Sequence, residues 1–462
     1  MLLHNKTNKL VLLLILSALQ NFSYAGQTTP VKAPSKPIAP VQSSALSTST
    51  GSVASQHAHA VDLARNDKIE EGLAILKQLL KAHPDSYPIR RDYVIISTWK
   101  GDCDSALENY ARIQQHPDQE PYLIVPVSDC LHQQGKDEQA LTLLKKSSKA
   151  NPDDTDVKQA YQDLQQSIAL SHAPDITISV GNNNSDAGNR EWFWDVRYSR
   201  LLDPGKPQLR GYLHYFSSHA LDAQFDTGDM NRFGIGVLYR FNPQWLLDQE
   251  LFTDLQNDDS GSRTQLRYFM NSQTALSGEY STNTSDIPLR AKAQEIDARR
   301  IKIDADYHST DYRWELYAAA AKYRFTDSNR RTTLYGSAGY AYLMKQRLEE
   351  RVILELSKSK NTLANTLYYN PASDRGVNLV HRTSYVYDSK YDRHVDHFSL
   401  FVGKYDEQGY DTENTYGAQF QQEYEFDSYT ALSWSAGYAS HIYDGQREGE
   451  WSFLITLSRK LD

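Results

Sequence analysis

From residue 176 to the C-terminus, apolar and polar residues alternate with a period of two. The last hairpin is the clearest case. Leu432, Trp434, Ala436 and Tyr438 take every second position, with Ser433, Ser435, Gly437 and Ala439 between them. On the return, Trp451, Phe453, Ile455 and Leu457 share one face and Ser452, Thr456 and Ser458 the other, Leu454 being the exception. Neighbouring side chains leave a strand on opposite sides, so this pattern describes a sheet with two differently solvated faces. One such hairpin would also suit a half-buried soluble sheet. Repetition over roughly 290 residues, rich in aromatics and ending on a strand, points instead to an antiparallel transmembrane β-barrel. Sixteen runs can be marked, the first near 176–182 and the last near 450–459. The runs at 275–284 and 350–368 and the stretch 318–321 are weak, so fourteen strands is the alternative; both numbers are even, as a single-chain bacterial barrel requires. Connections are short at Asn242-Pro243 and Ser309-Thr310, and long and polar over 254–262 and 282–294. Tight turns on one rim and longer loops on the other fit a barrel with a periplasmic and an external side.

Residues 57–172 have a helical pattern and a 34-residue repeat. Gly72-Leu73, Ala106-Leu107 and Ala140-Leu141 recur at that interval, as do Gly101 and Gly135, and His83-Pro84-Asp85, His116-Pro117-Asp118 and Asn151-Pro152-Asp153 close successive units. A small residue where helices cross and a proline at the unit boundary make a tetratricopeptide-type pattern, with a generic helical bundle as the alternative. Such stacks bind proteins along a concave face. The two cysteines fall within it. Cys103 starts the second helix of one repeat and Cys130 lies near the end of the next repeat's first helix. Antiparallel packing makes them neighbours, so a disulfide is expected; two buried thiols are the alternative.

The start of the chain places it outside the cytoplasm. Lys6 and Lys9, the apolar run 10–19 and the small residues of Ser23-Tyr24-Ala25 read as a signal peptide over 1–25. Residues 26–56, rich in proline, serine and threonine and without an acidic residue, read as a disordered tether. No later stretch is long and apolar enough for a membrane-crossing helix. A mean hydropathy of −0.63 is compatible with a barrel whose lumen is polar. The 31 tyrosines favour one, because tyrosine suits a membrane interface. The expected organisation is α + β multidomain: a leader, a tether, a short periplasmic helical repeat domain over 57–172, and a sixteen-stranded barrel over 174–462.

Candidate chemistry is sparse. The formal charge is −9 with no basic tract, which speaks against nucleic acid as a partner. No phosphate-cradling GxxxxGK motif occurs, so nucleotide hydrolysis is not expected. His394, Asp396 and His397 contain metal-ligand types, but the two histidines point to opposite faces of a strand and read as surface or loop residues. Asn378, His381 and Ser384 likewise alternate faces and cannot form a triad locally. No catalytic group, cofactor or metal is expected.

Two stretches resemble motifs of the poly-β-1,6-N-acetylglucosamine export porin family (PgaA/HmsH). They are Tyr368-Tyr369-Asn370-Pro371 with Asp374-Arg375, and Ile442-Tyr443-Asp444-Gly445-Gln446-Arg447-Glu448. The resemblance is best over 365–460. It implies a periplasmic tetratricopeptide domain, a sixteen-stranded barrel in the outer membrane, export of a biofilm exopolysaccharide, and contact with a periplasmic polysaccharide deacetylase. The repeat region here is much shorter than the family's, and the chain ends Lys460-Leu461-Asp462 without a terminal aromatic. Phe453 or another strand residue would then serve recognition by the barrel-insertion machinery. A cellulose or other exopolysaccharide channel, or a barrel that only anchors a scaffold among the outer-membrane lipids, are the alternatives.

With the apolar face outward, Glu191, Asp195, Asp248, Glu250, Asp254, Asp304, Asp306, Glu423 and Glu425 fall inside. From residue 176 onward there are 39 acidic against 32 basic residues. An acidic lumen would concentrate a polymer carrying ammonium groups. The alternative is that Arg197, Arg267, Lys302 and other inward bases neutralise these acids and brace the wall.

Overall fold

The computed structural model describes residues 52–461 apart from 67, 117–120, 204, 205, 207, 222–226, 257, 258, 272, 346, 364, 365, 367, 389–392 and 444. Residues 1–25, read as a signal peptide, and most of the stretch read as a tether lie outside the described residues. Residues 53–56, read as tether, already belong to the first helix. The chain divides into two compact units that meet at residues 171 and 172.

Seven helices form the first unit among the described residues: α1 (Val53–Arg65), α2 (Ile69–Ala82), α3 (Tyr87–Lys100), α4 (Cys103–Ala111), α5 (Pro121–Gln133), α6 (Asp137–Ala150) and α7 (Thr155–His172). They pair as hairpins, α1 on α2, α3 on α4 and α5 on α6. The repeated small residues explain the pairing. A Cβ on Gly72 would lie 2.6 Å from the Ala60 carbonyl, so the backbones of α1 and α2 approach as only glycine permits. Ala106 and Ala140, at the equivalent positions of α4 and α6, are fully buried. Gly101 and Gly135 end α3 and α5 at φ +77° and +70°, the left-handed conformation that stops a helix. Asp102 caps α4 by accepting from the Ser105 amide at 3.1 Å. Cys103 and Cys130 form a disulfide between α4 and α5, with Cα atoms 5.2 Å apart.

The second unit is a closed antiparallel barrel of sixteen strands. They are β1 (Asp175–Ser185), β2 (Arg190–Leu201), β3 (Leu209–Leu221), β4 (Thr227–Asn242), β5 (Trp245–Asp254), β6 (Ser260–Phe269), β7 (Thr274–Ser281) and β8 (Ala298–His308). The second half comprises β9 (Trp314–Phe325), β10 (Arg330–Met344), β11 (Leu348–Asn361), β12 (Ser373–Asp388), β13 (Arg393–Glu407), β14 (Glu413–Glu425), β15 (Thr430–Tyr443) and β16 (Gln446–Lys460). β16 closes on β1, from Asp175 opposite Lys460 to Ser185 opposite Glu450, which removes every free edge. The weak runs are strands, so the fourteen-strand alternative is excluded. Two boundaries differ from the pattern: β11 stops at Asn361 rather than 368, and the Ser309-Thr310 turn extends over 309–313.

The outer wall is apolar. Leu432 faces Leu457, Trp434 faces Ile455, Ala436 faces Phe453 and Tyr438 faces Trp451, all on the outward face. Large side chains such as Trp451, Val402 and Ile303 are 63 %, 62 % and 61 % exposed, which only a lipid environment makes favourable. Aromatic pairs ring the wall at the end where β1 starts and β16 finishes: Tyr239 with Phe241, Trp245 with Tyr268, and Trp314 with Tyr340, each with ring centroids within 4.7 Å. Such a girdle marks a membrane–water interface. The chain enters β1 from the helical unit, so this is the periplasmic rim and the opposite end is the outer rim.

Candidate functional site: the lumen and its outer closure

Register decides which side chains line the lumen. Glu191 and Asp195 alternate on β2 with the exposed Trp192 and Trp194. Asp248, Glu250 and Asp254 alternate on β5 with residues that include the exposed Leu251. Asp304 and Asp306 flank Ala305 between Ile303 and Tyr307, and Glu423 and Glu425 flank the outward Tyr424. All nine carboxylates therefore occupy inward positions.

Most of them are paired. Asp248 accepts from the Tyr212 hydroxyl at 2.6 Å and from Arg263 at 2.8 Å, with Arg197 at 3.9 Å. Glu250 lies 2.7 Å from His214 Nδ1 and 3.3 Å from Arg263, and His214 Nε2 is 3.3 Å from Asp195. Arg197 lies over the Tyr212 ring, 3.8 Å from its centroid. These groups form one network across β2, β3, β5 and β6. Elsewhere Asp306 accepts from Arg267 at 2.6 Å, and Asp304, Glu425 and Asp254 lie 3.3, 3.5 and 3.8 Å from Lys302, Arg393 and Arg232. Pairing is what allows charge to sit in a partly desolvated wall, and it braces neighbouring strands. Two acids differ. Glu191 accepts from Ser218 at 3.0 Å and Glu423 from Gln421 at 2.8 Å, and among the described residues neither has a lysine or arginine within 4.0 Å. The inward carboxylates named from the sequence are thus largely neutralised by local partners.

The outer end is narrowed by two connections that fold inward. The first, residues 282–297 between β7 and β8, carries a short helix α8 (Leu289–Ala293) that packs against β4 and β3, three to four strands away. Lys292 on α8 is 2 % exposed and donates to Asn283 Oδ1 at 2.5 Å and to Asp297. Arg232 reaches the same Asn283 oxygen from β4 at 2.8 Å. The second connection, residues 362–372 between β11 and β12, is held by Asn329, which is fully buried. Asn329 Oδ1 accepts from the amides of Thr362 and Leu363 at 3.2 and 3.3 Å. Its Nδ2 faces Asn361 Oδ1 at 3.2 Å, the Tyr368 hydroxyl at 3.2 Å and Asn370 Oδ1 at 3.0 Å. Arg331 donates to Asn361 Oδ1 at 3.0 Å and to the Tyr369 carbonyl at 3.2 Å. Ile287 and Ala291 from the first connection and Tyr368 from the second share one apolar cluster with Tyr323 and Phe325.

The two stretches singled out in the sequence meet at this closure. Tyr369 packs edge-on against Tyr443 with centroids 5.3 Å apart, and its hydroxyl is 3.2 Å from that of Tyr405. Asn361 Nδ2 donates to the Pro371 carbonyl at 2.7 Å, and Asn370 Nδ2 to the Leu363 carbonyl at 2.6 Å. Gly445 turns the last hairpin at φ +74°, Arg447 donates to Glu413 at 2.8 Å, and Ser185 donates to Glu448 at 3.4 Å. Asp444 lies outside the described residues.

The histidines lie on strands rather than in loops, and His394 and His397 point to opposite faces as the alternation implies. His394 stacks outward between Tyr387 and Tyr424, whereas His397 points inward and contacts Ser384 at 2.8 Å. His397 is 3.8 Å from Glu423, too long for a hydrogen bond, so serine, histidine and glutamate do not make a triad. His381 faces outward toward Tyr342. The residues that sequence reasoning missed are Tyr212, His214, Arg263, Asn329, Arg331 and Lys292. The first three alternate inward like the acids they bind, and a search for inward bases at matching heights would have found them. Asn329 and Arg331 act through contacts 30 or more residues away that leave no local signal, and Lys292 binds within its own irregular connection, where no periodicity marks it.

Comparisons with known proteins follow from this geometry. Residues 204–460 match the family model described as the PgaA membrane beta barrel domain. No curated protein sequence matches the chain. Among solved structures, one described as a bacterial polysaccharide outer membrane secretin is 18% identical, covers 63% of this chain and 99% of its own, and has a TM-score of 0.57. That likeness shows a shared fold. OccK5 (OpdH) of Pseudomonas aeruginosa is 10% identical over 63% of this chain and 98% of its own, with a TM-score of 0.35. A loop-deletion mutant of OmpT, an outer membrane protein of Vibrio cholerae, is 10% identical over 62% and 98%, with a TM-score of 0.34.

Proposed function

The chain belongs to the family of the PgaA membrane beta barrel domain, and from that premise we propose that it is an outer-membrane pore that passes an exopolysaccharide out of the cell. The observation that carries the reading is the match over residues 204–460 together with a closed sixteen-stranded barrel. The polymer we assign is partly deacetylated poly-β-1,6-N-acetylglucosamine. Its ammonium groups suit a path with carboxylates at successive heights, Asp306 and Glu423 toward the periplasmic rim, Asp248 and Glu250 midway, Glu191 toward the outer rim. Because most of these acids are shared with arginine, each site is weak, which lets a long chain move rather than stick. The tyrosines and asparagines of the outer closure offer ring faces and amides, the groups that contact sugar rings and hydroxyls. Movement is passive in this reading, driven by polymer synthesis from behind, and the closure opens as the polymer arrives.

The helical unit is on this reading a tetratricopeptide stack that docks a periplasmic protein, a polysaccharide deacetylase being the partner we assign. A barrel that only anchors that stack is the second reading, and the inward-folded closure favours it. Deleting the gene separates the two. Loss of a β-1,6-linked glucosamine polymer from the cell surface, with polymer retained in the periplasm and export restored by the full chain, supports the pore. An unchanged surface polymer refutes it.

A further inference from the structure

The outward face of β8 to β11 carries a basic patch that the lumen does not explain. Arg299, Lys322, Arg324, Arg330, Lys358 and Lys360 are all exposed. Each shares the outward face of its strand with lipid-facing residues: Arg299 with Ile301, Lys322 and Arg324 with Leu316, Arg330 with Leu334, Lys358 and Lys360 with Leu356. Register brings them side by side. Arg324 is directly opposite Arg299 on one flank and Arg330 on the other. Thr332 lies between Lys322 and Lys360, and Leu334 stands opposite Lys358. Directly opposed residues have Cα atoms about 5 Å apart, so three guanidinium groups crowd one row with a lysine row beneath them.

Among the described residues, no acidic side chain is paired with this charge: no carboxylate forms an ion pair with any of the six. The outward face of β8 to β11 has one acid, Glu350, near the opposite rim, where it engages Tyr342 and His381. Elsewhere near the outer rim exposed bases are either paired, as Arg375 is with Asp406 at 2.7 Å and Arg447 with Glu413 at 2.8 Å, or stand singly, as Arg190 and Lys404 do. The contrast makes the unpaired patch a local feature rather than a property of the whole rim.

Depth identifies what covers it. Trp314 marks the periplasmic interface on β9, and Arg324 lies ten residues further along that strand. At ~3.3 Å per residue and a tilt of ~40°, the patch stands roughly 25 Å above the girdle, at the far edge of the apolar band. Groups at that depth belong to lipid headgroups. Arginine forks match phosphate oxygens in shape as well as charge. We propose that this face binds the phosphates of an outer-leaflet lipid, a phosphorylated glycolipid headgroup seated across β8 to β11. The partly deacetylated polymer assigned to the lumen is cationic and would be repelled here, so this site is separate from the export path.

The test uses the purified full chain in detergent, with bis-phosphorylated lipid A as the probe and the same lipid stripped of both phosphates as its control. Wild type should retain the phosphorylated lipid through washing, with its barrel unfolding shifted upward, and should bind the stripped lipid roughly tenfold more weakly or less, as loss of charge-assisted contacts requires. A variant with Arg299→Gln, Arg324→Gln and Arg330→Gln, and a second with Lys322→Gln, Lys358→Gln and Lys360→Gln, should each lose most of that preference. Lys145→Gln with Lys146→Gln, exposed in the helical unit, should keep it. Equal binding of both lipids by wild type overturns the proposal without any variant being needed. So does a folded arginine variant that still prefers the phosphorylated lipid, or a patch protected by an acidic protein in place of lipid.

Discussion

Asn329→Ala should unlock the outer closure. The side chain is fully buried, and its oxygen accepts from two backbone amides of the 362–372 connection. Its amide group has two hydrogens for three facing acceptors, Asn361, Tyr368 and Asn370, so about four hydrogen bonds are made at once. Alanine removes all four. At about 1 kcal/mol net each, and less where water enters at the outer mouth, the closed connection loses about 2–4 kcal/mol. Each 1.4 kcal/mol is a factor of ten, so the open population should rise by roughly thirty- to several-hundredfold. Single-channel recording in planar bilayers reads this directly. Wild type should show rare, brief openings, and the variant frequent ones of the same unit size. The wall strands do not depend on Asn329, so the variant should still run as a heat-modifiable barrel. A variant that inserts normally and gives wild-type openings would show that the connection does not gate the lumen.

Four further outcomes are expected. Ile455→Arg, on the lipid face opposite Trp434, should cost about 2–4 kcal/mol of barrel stability if near the midplane, seen as lost heat resistance on electrophoresis; an unaffected barrel would reverse the assigned faces. Cys103→Ser should lower the melting of the helical unit by the ~3–4 kcal/mol worth of a loop of this length, and wild type should show no alkylatable thiol when denatured without reductant. Replacing Asp304, Asp306, Glu423 and Glu425 by Asn or Gln should lower cation selectivity, most visibly at low salt, and reduce surface polymer with it; unchanged values for both would remove the electrostatic guide. Burial raises the pKa of Asp129 in α5, against an opposing pull from His132. A raised carboxyl adds stability only when protonated, so that contribution is lost as pH rises through its folded value. Asp129→Asn should therefore melt higher than wild type at neutral pH, with the gain vanishing in acid; a gain independent of pH would contradict it.

How much of this was legible depends on the range of the contacts involved. The sixteen strands were readable because a barrel wall separates lipid from lumen and so imposes a period of two on every residue. The helical hairpins were readable because Gly72, Ala106 and Ala140 sit where backbones cross, a constraint that repeats at a fixed interval. Beyond the walls the signal fades. The run at 350–368 overshot because Tyr368 is buried, and burial in an inward-folding connection looks like burial in a strand. Inward carboxylates and the inward bases Arg197, Arg267 and Lys302 are readable from alternation alone, but which acid meets which base, and the part played by Arg263 and His214, need the register between strands. The meeting of Tyr369 with Tyr443 joins positions 74 residues apart, which no local pattern encodes.

The central claim is that this barrel conducts an amino-polysaccharide, and current blockade tests it most directly. Full-length protein would be inserted in a planar bilayer, and partly deacetylated β-1,6-glucosamine oligomers added on the side of the helical unit. The account predicts discrete, voltage-dependent blockades whose duration grows with oligomer length, and markedly weaker blockade by neutral β-1,4-glucan oligomers of equal length. A barrel that shows no conductance even in Asn329→Ala, or that responds identically to both oligomers, would contradict it.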